Sequence, residues 1–389
     1  MTRLSLLIAV IGVSMISAQP PVTPLPARTV KPRQGLIRVG TELSYTNDFT
    51  HPSGSAALVF DDQFAYLASP GGLYRTALPL TRQSTFDLIG FQNKNIFNLY
   101  VHGGALYVLK ESVANQGTTA TDHAFLRSDD HGATFVPLDN PLQECLGGFC
   151  EYLAATEAMF VDGSILINAG GANLLVTNDG GASWTPLIGS LHRTTCSPQP
   201  FELIVSRVVV GGDCLDTPYL QSGLVRPDLL EWAQSPTDVA TPELQNRTVL
   251  TIKNKPNSAE VYASISGALL KSTDDGQHFR YVTSYPFAAA KYPFISDILF
   301  PSHAPGVVVV AGRDPLHPFL AYSKDNGETW LDISDKIQSL VADPGAGSPM
   351  SSIDFLTEDA QGNIFAGVVH GPTKTLKILE LQFNYAMFR

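Results

Sequence analysis

Short apolar runs, each closed by glycine, proline, asparagine or aspartate, recur along the chain from residue 56 almost to its end. Seven of them start a repeating unit: Ala56 to Phe60, Ile96 to Val101, Glu151 to Ala155, Phe201 to Ser206, Thr248 to Ile252, Ser296 to Phe300 and Ser352 to Leu356. A second run usually follows, as in Ala105 to Leu109, Ser164 to Asn168, Glu260 to Ser264, Val307 to Ala311 and Asn363 to Val369. Apolar and polar residues alternate only weakly inside these runs, which suits strands covered on both faces by neighbouring sheets. The pattern of short strands predicts an all-β fold.

The polar punctuation is itself repeated. Ser128-Asp129-Asp130-His131-Gly132-Ala133-Thr134-Phe135 returns as Thr177-Asn178-Asp179-Gly180-Gly181-Ala182-Ser183-Trp184, as Ser272-Thr273-Asp274-Asp275-Gly276-Gln277-His278-Phe279 and as Ser323-Lys324-Asp325-Asn326-Gly327-Glu328-Thr329-Trp330. Each copy is a turn recipe: a short hydroxyl and a carboxylate that accept main-chain N–H groups, then a glycine where the backbone needs positive φ. The closing aromatic supplies a large apolar surface beneath the turn. Asp130, Asp179, Asp274 and Asp325 are therefore expected to hold turns rather than to catalyse. The copies begin 49, 95 and 51 residues apart, so the middle gap spans two periods. A degenerate copy, Val225 to Trp232, fills it, and Phe86 marks one period upstream of Phe135. A period of 40 to 50 residues built from short strands is the signature of a propeller blade. Seven four-stranded antiparallel blades can be placed, with six as the competing count. The last period lacks an outer strand, and Gly35-Leu36-Ile37-Arg38-Val39-Gly40 is expected to complete it and close the ring.

Composition agrees with one large domain at residues 35–389. Of the 389 residues 44% are hydrophobic and 16% charged, which describes a well-buried globular chain. The net charge of −11 disfavours nucleic acid and anionic membranes as partners. Residues 1–18 read as a signal peptide: Met1-Thr2-Arg3, an apolar run from Leu4 to Ile16, and the small pair Ser17-Ala18. That run is short for a membrane span, so the mature chain is expected to have none and to be secreted or periplasmic. Residues 19–34 form a proline-rich linker. In an exported chain the four cysteines suggest disulfides, Cys145 with Cys150 and Cys196 with Cys214, the alternative being free thiols. Neither the histidine nor the cysteine spacings describe a metal site, and no cofactor motif is present.

Strand alternation places the box turns on one face of the ring, and the second-to-third-strand loops with the inter-blade links on the other. The latter face carries the long, varied loops and the candidate ligand contacts: His192, Arg193, Tyr219, Tyr285, Lys291, Arg313, Asp314, His317 and His370. Arg313-Asp314-Pro315-Leu316-His317-Pro318 is the strongest single candidate, because it groups a cation, a carboxylate and an imidazole in a loop stiffened by proline. Asp122, His123, Asp213 and Tyr292 share this face, and Asn246-Arg247-Thr248 is a glycosylation sequon if the host is eukaryotic.

With these four boxes the chain resembles the BNR/Asp-box β-propeller superfamily, which includes sialidases, other glycoside hydrolases, sortilin-type receptors and the photosystem II assembly factors. The resemblance implies a propeller whose boxes lie away from the functional face. A sialidase would bring an Arg-Ile-Pro motif, an arginine triad and a Tyr/Glu pair, whereas this chain has Ile37-Arg38-Val39 without the proline. Phrasing such as Lys255-Pro256-Asn257-Ser258-Ala259-Glu260-Val261-Tyr262 resembles the xyloglucanase-like branch, whose enzymes work between two propellers. The expectation is a secreted module that binds an extracellular glycan or protein, with a glycoside hydrolase as the alternative.

Overall fold

The computed structural model describes residues 37–45 and 56–383, apart from 111–124, 139–142, 187–199, 240–247, 284–286, 288–292, 339–350, 371–374 and a few shorter breaks. Residues 1–35, with the signal and linker segments expected above, lie outside the described residues. The strands form seven four-stranded antiparallel sheets, so the chain is a seven-bladed β-propeller.

Blade 1 comprises Ala57–Phe60, Phe64–Ser69, Gly72–Ala77 and Asp87–Gly90. Blade 2 follows with Ile96–His102, Ala105–Lys110, Phe125–Ser128 and Val136–Pro137. Blade 3 holds Ala155–Val161, Ser164–Ala169, Asn173–Thr177 and Thr185–Pro186. In blade 4, Phe201–Ile204 leads to the long strands Arg207–Cys214, Thr217–Arg226 and Glu231–Asp238. Blade 5 is Val249–Asn254, Val261–Ile265, Ala268–Ser272 and Arg280–Tyr281. Blade 6 is Phe294–Leu299, Val308–Arg313, Pro318–Ser323 and Leu331–Asp332, followed by one helical turn, Ser334–Gln338. Blade 7 takes Ser352–Glu358, Ile364–His370 and Thr375–Phe383 from the C-terminal end and its outermost strand, Ile37–Tyr45, from the N-terminal end. That last pairing runs antiparallel from Ile37 opposite Phe383 to Tyr45 opposite Leu376, and it covers the edge that blade 7 would otherwise expose.

Seven apolar clusters accompany the seven blades, one at each interface, and this is where the energy of the ring resides. The interface of blades 5 and 6 gathers Tyr262, Leu269, Val308, Phe319 and Trp330. The interface of blades 7 and 1 gathers Leu58, Leu67, Phe355, Phe365 and Ile378. No blade buries its faces alone, so the second and third strands are apolar on both sides, as in Val308–Arg313 and Pro318–Ser323.

The inner strand of blade 3 differs from the expected Glu151 to Ala155. It is Ala155–Val161, and Phe149–Tyr152 instead pairs with Gln143–Leu146 in a separate two-stranded hairpin. A short apolar run looks the same in an inserted hairpin as in a blade strand, and only pairing distinguishes them. The hairpin register sets Cys145 directly opposite Cys150. Cys196 and the side chains of Cys145, Cys150 and Cys214 lie outside the described residues.

The four boxes share one geometry at the turn between third and fourth strands. In the first, Ser128 Oγ accepts the Gly132 N–H at 2.8 Å and donates to Asp130, whose Oδ1 accepts the Thr134 N–H at 2.8 Å. Thr177 with Asp179, Ser272 with Asp274 and Ser323 with Asp325 repeat the arrangement. The glycine is also a point of contact with the preceding blade. Gly276 has φ +76°, and a Cβ built there would lie 2.4 Å from Val209 Cγ2 of blade 4. The aromatics Phe279 and Trp330 are buried below their turns.

A cation from the preceding blade reaches over to each of two boxes. Arg75 stacks on Phe64 and donates to the His131 carbonyl, while Lys271 packs over Tyr262 and donates to the Asn326 carbonyl. Lys271 is 4% exposed and also pairs with Glu260 at 2.9 Å.

Candidate functional site

In every blade the chain arrives from the inter-blade link at the start of the innermost strand, so the first residues of these strands ring one mouth of the central channel. Five of the seven inner strands carry a β-bulge there, between Ile96 and Asn98, Ala155 and Glu157, Val249 and Thr251, Ile295 and Asp297, and Ile353 and Phe355. A bulge re-aims side chains, and here it turns consecutive residues towards the axis.

The result is a cavity of about 380 Å³ to which all seven blades contribute: Ala56 and Ala57, Phe97 and Asn98, Glu157, Pro200, Leu250 with Thr251 and Lys253, Ser296 and Asp297, and Asp354 and Phe355. Glu202 stands beside this wall and interacts electrostatically with Lys253 and Glu157. Topology puts the mouth on the face of the long loops, opposite the box turns.

Each carboxylate also joins its blade to the next. Glu157 Oε2 accepts the Phe201 N–H at 2.9 Å, and Asp297 Oδ2 accepts the Leu356 N–H at 2.7 Å. Glu202 accepts from the backbone of Asn254, and Asp354 from that of Ala56. Between blades 2 and 3 the Tyr100 hydroxyl accepts the Ala158 N–H at 2.9 Å, and between blades 6 and 7 Ser296 donates to the Ile353 carbonyl. These are charge-assisted or neutral staples along the channel wall.

The electrostatics of the wall are unbalanced: one ammonium, Lys253, interacts with Asp297, Glu157 and Glu202, and Asp354 adds a fourth carboxylate. Burial pushes Glu157 up to about 6, against the pull of Lys253. It pushes Glu202 up to about 7, with Lys253 again opposing and Glu157 adding to the rise. Asp297 and Asp354 are raised by burial as well, despite the N–H groups they accept. For Lys253 burial works downward, but Asp297, Glu157 and Glu202 together outweigh it and hold the ammonium above its ordinary value. These side chains are half-buried, enclosed by the ring yet wetted from the channel.

Of the residues expected from sequence, the described ones, Tyr219, Arg313, Asp314 and His317, do not line this cavity. Arg313 lies at the end of its strand with its guanidinium over the Phe294 ring. Asp314 Oδ1 accepts the His317 N–H at 3.0 Å and its own N–H returns to the His317 carbonyl, so this pair holds a tight turn. Tyr219 does not present a side chain to the loop face: it is 4% exposed and packs in the core between blades 3 and 4. A strand residue next to a loop in the sequence had taken the core-facing position. His192, Arg193, Tyr285 and Lys291 lie outside the described residues, as do the side chain of His370, Asp122, His123, Tyr292 and Asn246.

Sequence reasoning missed Asn98, Glu157, Glu202, Lys253, Asp297 and Asp354. Their signal was present: an ionisable or amide group interrupts an otherwise apolar inner strand, as in Phe201-Glu202-Leu203-Ile204 and Ser296-Asp297-Ile298-Leu299. A second cluster, Asp61, Asp62 and His131, brings three possible metal ligands together on the opposite face. There Asp61 is already engaged, accepting from Gln63 N–H, Phe64 N–H and the Tyr66 hydroxyl and bonding His131 Nδ1 at 2.7 Å. It serves as a tie between blades 1 and 2.

The fold has many solved counterparts, and the class they define is the β-propeller. The chain is similar to YCF48 from Cyanidioschyzon merolae, with a TM-score of 0.55 and 13% identity over 87% of this chain and 98% of that one. A structure of YCF48 bound to D1 peptide gives 0.57 and 14%, over 87% and 97%. The extracellular domain of the putative one component system BT4673 from B. thetaiotaomicron gives 0.54 and 12%, over 87% of this chain and 40% of that one. No family model matches the chain, and no curated protein matches it.

Proposed function

We propose that this propeller is a recognition module of the BNR/Asp-box type that binds an extracellular glycan or protein at the loop-face mouth of its channel. The observation that carries the reading is the convergence of one or more residues from all seven blades on a single cavity with polar and ionisable walls. The likeness to a YCF48 structure with a bound D1 peptide is compatible with a protein ligand. Export through residues 1–18 and disulfides at Cys145–Cys150 and Cys196–Cys214 belong to the same proposal. The test is a binding screen of the mature chain, from Gln19 onward, against glycan and peptide arrays, repeated with N98A/S296A. Binding that is lost in this variant supports the mouth as the site, and binding that is unaffected places it elsewhere.

A second reading, a glycoside hydrolase, has one specific observation in its favour. Glu157 and Glu202, raised to about 6 and about 7, are carboxyls able to act as proton donors near neutrality. Release of reducing sugar or sialic acid from polysaccharides and sialosides, abolished in E157Q or E202Q, would establish it. No release on any substrate leaves the recognition module.

A further inference from the structure

The mouth of the channel has far more acceptors than donors. Glu157 and Glu202 are each held by one backbone N–H, Asp297 by two, and Asp354 by one N–H and the Ser352 hydroxyl. An ionised carboxylate offers about four acceptor sites, so these backbone bonds use only part of the capacity of the wall. The cation that the fold provides does not fill it. Lys253 lines the cavity within the field of Asp297, Glu157 and Glu202, yet makes no hydrogen bond or ion pair within 4.0 Å among the described residues. Its side chain is half-buried in the cavity wall.

A bare metal ion does not suit this geometry. Among the described residues, the one group of three His, Cys, Asp or Glu ligand atoms within 4.8 Å of one another is Asp61, Asp62 and His131. No three ligand atoms of the described channel residues come that close, whereas a cavity of about 380 Å³ is roomy enough for the head of an amino-acid side chain.

We infer that the mouth accepts an organic cation, the ammonium or guanidinium group of a lysine or arginine side chain presented by a basic peptide. This rests on the reading of the mouth as the ligand site. The incoming group spreads its N–H donors over carboxylates from several blades, and Lys253 is its built-in competitor.

Calorimetric titration of the mature protein with end-capped tri-arginine and tri-glutamate tests the inference. Tri-arginine binds, and E157Q/D297N, which keeps an amide oxygen for each staple but removes two charges, weakens it by about tenfold or more. Lys253→Met removes the competing ammonium and tightens tri-arginine by about tenfold. Thermal unfolding of both variants confirms that the ring is intact. The inference is overturned if tri-arginine is silent, if tri-glutamate binds instead, or if K253M abolishes binding, since that outcome makes Lys253 a ligand-holding group. Unchanged tri-arginine affinity in E157Q/D297N also overturns it, by assigning the binding to the acidic outer surface. A glycan or neutral peptide captured at the mouth while tri-arginine stays silent sinks this inference alone; silence from every probe sinks the proposed function with it.

Discussion

Replacing Glu202 by Gln is expected to stabilise the protein above neutrality and to leave it nearly unchanged in mild acid. Glu202 lies beside the channel wall, where burial raises its carboxyl to about 7 from an ordinary 4.5. A group whose folded pKa is raised favours the folded state below its unfolded value, and that contribution is lost as pH climbs through the folded value. Between about pH 4.5 and 7 the native ring therefore sheds stability as Glu202 ionises. The full difference, about 2.5 pH units, amounts to ~3 kcal/mol. Gln keeps an oxygen to accept the Asn254 N–H, so the staple survives while the ionisation cost disappears. For a ring of about 350 residues an unfolding entropy near 0.7 kcal/mol per kelvin turns ~3 kcal/mol into a rise in Tm of about 4 °C. The assay is paired thermal melts of wild type and E202Q at pH 5 and pH 8, followed by circular dichroism. A rise at pH 8 with little change at pH 5 is the expected result. Equal destabilisation at both pH values would refute the reasoning, because it would mean that the charged form is the one the fold favours.

Gly276→Ala is expected to cost ~2–4 kcal/mol, from left-handed backbone strain and a Cβ 2.4 Å from Val209 Cγ2, whereas Gly103→Ala, at φ +59° with nothing within 4 Å, meets only the strain. A chemical denaturation series in which the two variants are equally destabilised would show that the box glycine does not pack on the neighbouring blade. At the acid end, hydrogen bonds from Thr134 and Ser128 hold Asp130 down to about 2, and those from His278 and Ser272 offset burial to hold Asp274 down to about 2. Such groups contribute stability above their ordinary values and lose it as pH falls through the depressed ones, so melts from pH 5 to 2 should show a steady decline that D130N and D274N make shallower. Lys271→Met should cost ~3 kcal/mol, because Glu260 and the Asn326 carbonyl lose a buried partner. A restored melt in K271M/E260Q would confirm that the loss is electrostatic rather than steric.

The box turns were legible in the sequence because they are local. A hydroxyl, a carboxylate and a glycine within a few residues settle the conformation of Ser128 to Gly132 whatever surrounds it, and repetition at a propeller period makes the all-β ring readable from one strand of symbols. The closing strand near Ile37 was legible for a related reason, since a blade with a missing partner must find one. The collar was not legible. Glu157, Glu202, Lys253, Asp297 and Asp354 lie in different blades, and nothing in the sequence says that the inner strands of separate blades meet around one axis. The same limit explains Tyr219, which neighbours a loop in the chain but packs inside the core, and the hairpin at Cys145 and Cys150, which mimics a blade strand. Local hydrogen bonding determines the turns and the repeat, whereas only ring closure decides which distant side chains share a cavity and bear one another's charge.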